Sequence, residues 1–252
     1  MINLIDADIV AYRAASSCEP TKAKPHLEPP EVALWRLNDI IERICIATNS
    51  QDIECYLGGS DNFRYKIYPQ YKGNRTKEKP HYLEACRELL VTQYKATVVN
   101  YMETDDALGI AQTKYDGNSR IVSLDKDLLQ CPGWHFNWVT GVNKLVSPLD
   151  GLRTFYKQLI LGDRTDNIPG YDGKLRSECP KFIQKLQEPI DEMTEEIDMY
   201  NHVCDVYSEQ VSWADDWKTP MHRNAQLLYI LKNEEEFWTP PNGPKEESMP
   251  SS

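Results

Sequence analysis

The sequence has no long hydrophobic run, whereas a membrane-spanning helix needs about 20 consecutive apolar residues. Four of the first five residues are apolar, but no basic residue precedes them and Asp6 ends the run, so no signal peptide is evident. The seven cysteines are odd in number and contain no Cys-x-x-Cys pair, and the five histidines lack metal-ligand spacing. These absences argue against a zinc site and favour a reduced, intracellular setting.

Positive charge is also scarce, because 28 lysines and arginines face 39 acidic residues and the net charge is −11. Such a balance normally argues against a nucleic-acid partner. Basic residues are nevertheless concentrated in residues 64–79, here called the basic segment. Three interleaved tyrosines and little apolar periodicity predict a loop or short helices that stand away from the core. The basic residues of this segment are Arg64, Lys66, Lys72, Arg75, Lys77 and Lys79.

Strand and helix patterns alternate through the first 124 residues. This alternation predicts an α/β fold in which helices flank a mostly parallel central sheet. Strands are predicted at residues 2–5, 53–57, 97–101 and 120–124, with a further pair within 136–146, and helices at about 8–15, 32–48, 82–94 and 105–115.

The pattern then changes, because short helical stretches follow without clear strands. We expect a main domain at residues 1–147 and a helical portion at residues 148–233. Residues 234–252 contain the pairs Pro-Pro, Gly-Pro and Ser-Ser and predict a flexible tail. Trp213 and Trp217 lie at helical spacing, which is typical of core packing.

Three of the predicted strands run directly into acidic residues. Asp6 follows the first strand and Asp125 follows the fourth, while Glu103, Asp105 and Asp106 follow the third. Functional sites in open α/β sheets form outside the carboxyl ends of the strands, so these acids should converge at one edge. The alternative for the last three is a helix N-cap with first-turn acids. Three adjacent carboxylates, however, repel one another unless a cation neutralises them.

Two further acids lie in the loop at residues 162–170. Carboxylates alone suit hard cations such as Mg²⁺ or Mn²⁺, and the number of acids indicates two ions. Two ions can activate a water and stabilise the leaving oxygen of a phosphodiester. Each acid taken singly is typical of a solvated surface group, but their joint position at strand ends is not. The candidate ligands are Asp6, Glu103, Asp105, Asp106, Asp125, Asp127, Asp163 and Asp166.

Five stretches together resemble the 5′ nucleases, a family that includes the 5′–3′ exonuclease domain of bacterial DNA polymerase I, phage 5′ exonucleases and flap endonucleases. They occur in the order found in that family and span residues 1–170. Any one of them alone is weak, whereas five in order are specific. The stretches are residues 5–13 (IDADIVAYR), 71–75 (YKGNR), 103–109 (ETDDALG), 123–130 (SLDKDLLQ) and 162–170 (GDRTDNIPG).

The resemblance implies a PIN-like catalytic domain with two divalent metals. One metal would be held by Asp6, Glu103, Asp105 and Asp106, and Asp125, Asp127, Asp163 and Asp166 would surround the second. Lys72 and Arg75 match the basic residues of a helical arch through which a 5′ single strand passes, with Lys72 on the scissile phosphate. The residues expected to carry catalysis are Lys72, Arg75, Asp6, Asp106 and Asp125.

The expected partner is DNA with a free 5′ end or a 5′ flap, and an RNA–DNA hybrid is a further candidate. A monomer that acts in DNA replication or repair, in the cytoplasm of a bacterial or phage-infected cell, is the setting that the resemblance implies. Basic side chains would contact phosphates, and tyrosine rings could stack on bases. The expected nucleic-acid contacts are Arg13, Arg64, Lys66, Tyr71, Lys72, Arg75, Lys77, Lys174 and Arg176.

The sequence departs from the family pattern at two places. Gly58 or Gly59 stands where the family has another acid after the second strand, and the register of Asp61 is wrong for a substitute. Residues 171–180 lack the second glycine-bearing hairpin that grips duplex DNA and a monovalent ion, although Lys181 and its basic neighbours could still touch phosphates. The potassium site and the duplex grip are therefore left open.

Three other functions remain open from the residues themselves. Asp6 and Asp8 after a strand also resemble the signature of haloacid-dehalogenase phosphatases, with Asp6 as nucleophile. That alternative leaves the acids at 103–106 and the motif at 71–75 unexplained. The other two are a DNA-binding module without catalysis and a PIN-type ribonuclease.

Overall fold

A computed structural model describes residues 1–210 and 215–241. The chain divides into two compact units, and the division differs from the predicted domains because residues 63–76 group with the C-terminal helices. Among the described residues, no helix is both long and apolar enough to cross a membrane. Unit 1 comprises Met1–Asn62, Lys77–Leu128 and Pro132–Val146; unit 2 comprises Phe63–Thr76, Leu129–Cys131 and the described residues from Ser147 onward.

Unit 1 is built on a six-stranded sheet with the strand order β3-β2-β1-β4-β5-β6. Neighbouring strands from β3 to β5 are parallel, and β6 pairs antiparallel with β5. The predicted mostly parallel sheet and the predicted strand pair near its end are both confirmed. The strands are β1 (Ile2–Asp6), β2 (Ile53–Gly58), β3 (Thr97–Val99), β4 (Ser119–Val122), β5 (Gly133–Asn137) and β6 (Val142–Val146).

Apolar residues at helical spacing attach the helices to this sheet. Leu37, Ile41 and Ile44 recur every three or four residues and are buried, so one face of their helix packs on the core. The helices are α1 (Ala7–Ser16), α2 (Pro30–Thr48), α3 (Arg64–Ile67), α4 (Leu83–Gln93), α5 (Thr104–Lys114), α6 (Pro148–Leu161), α7 (Lys181–Gln187), α8 (Glu196–Ser208) and α9 (Lys218–Leu228), with 3₁₀ turns at Asp127–Gln130 and Glu188–Glu192.

Unit 2 has a helical core of its own, which includes part of the basic segment. Arg64 and Tyr71 are each only 2% exposed, so the prediction that this segment stands away from the core is wrong. The Arg64 guanidinium donates hydrogen bonds to the carbonyl oxygens of Leu227 (2.8 Å) and Tyr229 (2.7 Å). The prediction that Arg64 contacts nucleic acid is therefore corrected to a structural role.

One side chain of the predicted tail is packed. Trp238 is 5% exposed and lies 6.1 Å from Phe155 between ring centroids. The predicted flexible tail is therefore wrong at Trp238, while residues 234–237 are exposed and residues 242–252 lie outside the described residues. Trp217 packs against the core of unit 2 as predicted, and Trp213 lies outside the described residues.

Replacing Arg64 by Met should destabilise unit 2 by about 3 kcal/mol, because two buried carbonyl oxygens lose a charged donor. Urea unfolding followed by circular dichroism would measure this loss. The matched control is Lys66→Met on the same short helix, since Lys66 is exposed. Equal unfolding midpoints for the two variants would contradict the structural role of Arg64.

Candidate functional site

Asp6 lies at the carboxyl end of β1 and is also the N-cap of α1, because the strand passes into the helix without a loop. Its side chain is 3% exposed. One carboxylate oxygen accepts a hydrogen bond from the backbone N–H of Ile9 (3.2 Å), and the other accepts one from the Ser123 hydroxyl (2.7 Å). Two bonds thus fix the orientation of this carboxylate.

The second group of acids begins helix α5. Glu103 is its N-cap, and the Glu103 backbone N–H donates to Asp106 Oδ2 (3.0 Å) in a capping box. The Asn62 amide donates to Glu103 Oε1 (2.9 Å), and Asp106 is fully buried. The capping alternative is therefore realised for Glu103 and Asp106, and it places the adjacent Asp105 beside the other acids.

A third acid follows β4 and is tied to Asp6 through one serine. Ser123 Oγ donates to Asp6 and also accepts the backbone N–H of Asp125 (3.0 Å). Asp125 Oδ1 in turn accepts the backbone N–H of Asp127 (2.8 Å). Neither Ser123 nor Asn62 is among the predicted site residues, although Ser123 stands inside the 123–130 motif.

The acids of unit 1 interact electrostatically. Burial raises the pKa of Asp105 well above its usual range, and the charges of Asp6, Asp125, Glu103 and Asp106 raise it further. Burial also raises the pKa of Asp6 to about 7, with smaller contributions from neighbouring carboxylates. We call these five residues the carboxylate cluster. Their anionic forms are costly together unless a cation compensates them.

The donor chemistry of the cluster fits a hard divalent cation, because the cluster offers carboxylate oxygens alone. Within residues 1–210 and 215–241, however, no three acidic, histidine or cysteine side chains converge in a way that could hold a metal ion. Two of their oxygens instead accept backbone N–H groups at helix N-termini, Asp6 Oδ1 from Ile9 and Asp106 Oδ2 from Glu103. Coordination therefore requires some of these side chains to turn towards a common point.

The loop that carries the two remaining acids lies in unit 2. Gly162 has a φ of +77°, and a β-carbon there would clash with the backbone of Gly170, so only glycine fits. Asp163 and Ile168 form a two-residue bridge through backbone bonds of 2.8 and 2.7 Å. The Asp163 side chain accepts the backbone N–H of Thr165 (2.7 Å). These bonds hold the loop as a compact hairpin.

Three side chains of the basic segment surround the Asp166 carboxylate. Its carboxylate accepts the Tyr71 hydroxyl (2.7 Å) and the Arg75 guanidinium (2.5 Å), and Lys72 Nζ lies 3.6 Å away. The backbone N–H of Lys72 also donates to the Asp166 carbonyl oxygen (2.9 Å). Because its ring is buried, Tyr71 does not offer a face to a base, and the expected stacking role is corrected to support of Asp166.

The other expected nucleic-acid contacts differ in accessibility. Arg13 is exposed and lies over the Trp138 ring, 5.3 Å from its centroid. Arg176 forms a bidentate ion pair with Asp172. Partial burial raises the pKa of the Asp172 carboxyl, but this ion pair outweighs it and holds that pKa below its usual range. The remaining expected contacts that are exposed are Lys66, Lys77 and Lys174.

Comparison with known proteins adds a family and a fold. Residues 1–152 match the family described as 5′–3′ exonuclease, N-terminal resolvase-like domain. The structure is also similar to that of the D15 protein of bacteriophage T5 solved with metal ions, with a TM-score of 0.61 and 16% identity. That match covers 90% of this chain and 88% of the other.

Two further phage T5 structures show the same likeness. A variant of the D15 flap endonuclease, solved in a pseudo-enzyme–product complex with DNA and metal ions, has a TM-score of 0.61, 16% identity and coverage of 90% and 88%. A variant of the T5 5′-exonuclease has a TM-score of 0.54, 16% identity and coverage of 90% and 86%. These matches confirm the expected PIN-like fold.

Proposed function

Because this chain belongs to the 5′–3′ exonuclease family with an N-terminal resolvase-like domain, we propose that it hydrolyses phosphodiesters near the 5′ end of DNA with divalent metal ions. The observation that carries the proposal is the carboxylate cluster at the carboxyl ends of β1 and β4 and the start of α5. Burial and mutual repulsion disfavour the anionic forms of these carboxylates, which supports a cation as their partner. Family membership also supports a nuclease over the phosphatase alternative.

We assign the first Mg²⁺ or Mn²⁺ ion to Asp6, Glu103, Asp105 and Asp106. Asp125, Asp127, Asp163 and Asp166 are the proposed ligands of a second ion. When bound, the two ions would activate a water and stabilise the leaving oxygen of the phosphodiester. Ser123 would orient both Asp6 and Asp125, since its hydroxyl bonds to one side chain and to the backbone of the other.

Lys72 and Arg75 are the proposed electrostatic partners of the reacting phosphate. Both side chains pair with the Asp166 carboxylate in this structure. A bound phosphate group would therefore replace Asp166 as their anionic partner. A cation held beside the reacting phosphate stabilises charge that develops in the transition state. Asp166 would then be released to accept a metal ion.

The substrate is proposed to be DNA with a free 5′ end or a 5′ flap, and an RNA–DNA hybrid is a second candidate. Exposed Arg13, Lys66, Lys77 and Lys174 would contact backbone phosphates. The solved T5 D15 complex contains DNA, which supports this substrate class. We propose a monomeric, cytoplasmic enzyme of DNA replication or repair in a bacterial or phage-infected cell.

The test is cleavage of a 5′-labelled flap duplex beside matched single-stranded, blunt-duplex and hybrid substrates. Each reaction would contain Mg²⁺, Mn²⁺ or EDTA. We expect metal-dependent cutting near the flap junction or stepwise release from the 5′ end, and no cutting in EDTA. Tight binding in Ca²⁺ without cutting in Mg²⁺ or Mn²⁺ would contradict catalysis and indicate a DNA-binding module.

A further inference from the structure

The end of β2 has no room for a side chain. A β-carbon on Gly58 would lie 3.1 Å from Asp8 Oδ2 and 3.2 Å from Thr104 Oγ1, which is tighter than ordinary contact. A β-carbon on Gly59 would clash with the Asn100 side chain and with the backbone oxygen of Val99. Glycine thus stands where the sequence resemblance predicts an acid, and the carboxylate of Asp8 packs against Gly58.

Asp8 is held from three sides. Its Oδ2 accepts the backbone N–H of Gly58 (2.7 Å) and the hydroxyl of Thr104 (2.5 Å). Its Oδ1 accepts the Arg87 guanidinium, which also donates through its second nitrogen to the Gly58 carbonyl oxygen (2.5 Å). One ion pair thus connects α1, α4, the end of β2 and the first residue of α5.

Two short stretches of backbone connect this ion pair to the carboxylate cluster. Asp8 comes two residues after Asp6 and is close enough for its charge to act on that side chain. Thr104 stands between Glu103 and Asp105, so its bond to Asp8 fixes the backbone that carries both acids. Arg87 supplies one positive charge that offsets the one negative charge of Asp8.

We propose that Asp8 and Arg87 are positioning residues for the metal centre: Asp8 holds the start of α5 and adds its negative charge beside the carboxylate cluster, and Arg87 offsets that charge. The inference rests on the proposed function, because it assumes that the cluster binds a divalent cation. The inference predicts opposite changes in cation affinity. Removing the charge of Arg87 makes the neighbourhood of the cluster more negative, and removing the charge of Asp8 makes it more positive.

The experiment measures Mn²⁺ binding to the full chain by isothermal titration calorimetry. Asp8→Asn should weaken binding by about tenfold, which is the usual cost of losing a group behind metal ligands. Arg87→Gln should tighten binding by about tenfold, because a positive charge that repels the cation is removed. The double variant should return to within about threefold of the unchanged chain, because the net charge is restored. Arg43→Gln is the matched control, since Arg43 is exposed and pairs with Asp39 on α2.

Thermal melting of each variant, followed by circular dichroism, separates positioning from loss of the fold. Opposite shifts in Mn²⁺ affinity with folded variants support the proposal, whereas a merely structural pair would shift both variants in the same direction. Shifts of the same sign, or none beyond that of Arg43→Gln, would overturn it while leaving the nuclease intact. Absence of both Mn²⁺ binding and DNA cleavage in the unchanged chain would overturn the proposed function as well.

Discussion

Replacing Asp125 by Asn should lower the rate of DNA cleavage by at least about 10³-fold, while the affinity for the same DNA in Ca²⁺ stays within about threefold of that of the unchanged chain. The substitution takes away one negative charge that a divalent cation requires but keeps the shape of the side chain. The amide oxygen can still accept the backbone N–H of Asp127, so the turn after β4 is preserved. Asp125 is half-buried and does not cap a helix, which makes it a cleaner target than Asp106.

The rate would be measured under single-turnover conditions with a 5′-labelled flap substrate, and binding by fluorescence anisotropy. Asp39→Asn on the surface of α2 is the matched control and should cleave at the unchanged rate. Asp106→Asn should also stop cleavage, but it disturbs the cap of α5 and so tests stability at the same time. Cleavage by Asp125→Asn at the rate of the Asp39 variant would remove Asp125 from the metal centre.

Replacing Lys72 by Ala should lower the single-turnover rate by about 10²-fold and weaken DNA binding by only a few-fold. The first effect follows because a cation on the reacting phosphate acts mainly in the transition state. The second follows because one phosphate contact among many adds little to affinity. Lys72 Nζ lies 3.6 Å from Asp166 and 5.1 Å from the centre of the Tyr71 ring, so the variant leaves Arg75 as the remaining basic partner of Asp166 among these residues.

The matched control for this variant is Lys77→Ala in the same basic segment. Lys77 is exposed, and we expect its loss to weaken binding and lower the salt dependence while the rate at saturating enzyme stays unchanged. Titrating enzyme to saturation separates the two effects. An unchanged maximal rate for Lys72→Ala would show that Lys72 serves binding alone.

The fold of unit 1 could be predicted because its signals are local. A short apolar run followed by helical spacing, repeated along the chain, is sufficient for parallel strands with helical crossovers. The position of Asp6 and Asp125 at one edge of the sheet followed from this topology, since carboxyl ends of parallel strands share one edge. The topology does not fix the rotamers that would bring these carboxylates and Asp105 to one metal ion.

The packing of unit 2 could not be read in the same way, because its contacts join distant parts of the chain. Arg64 bonds to the carbonyl of a residue 163 positions later, and an arginine beside lysines and tyrosines gives no local sign of such burial. Trp238 likewise sits among proline, glycine and acidic residues that are typical of a tail. Only the tertiary fold shows that both side chains are enclosed.

The ion pair of Asp8 and Arg87 could not be predicted from the sequence either. Asp8 belongs to the stretch in which Asp6 is the predicted metal ligand. Arg87 lies in an amphipathic helix, where an arginine is ordinarily solvated. The glycines at 58 and 59 were the available signal. A place where an acid is expected but glycine stands indicates that another side chain occupies the space.

The most direct test of the metal centre is anomalous diffraction from a crystal of the full chain soaked in Mn²⁺. We expect one manganese peak bound by acids of the set Asp6, Glu103, Asp105 and Asp106. A second peak bound by Asp125 or Asp127 together with Asp163 or Asp166 would establish the second ion. Manganese bound only to other acids, in a protein that cleaves DNA with Mn²⁺, would contradict the assignment of the carboxylate cluster as the catalytic centre.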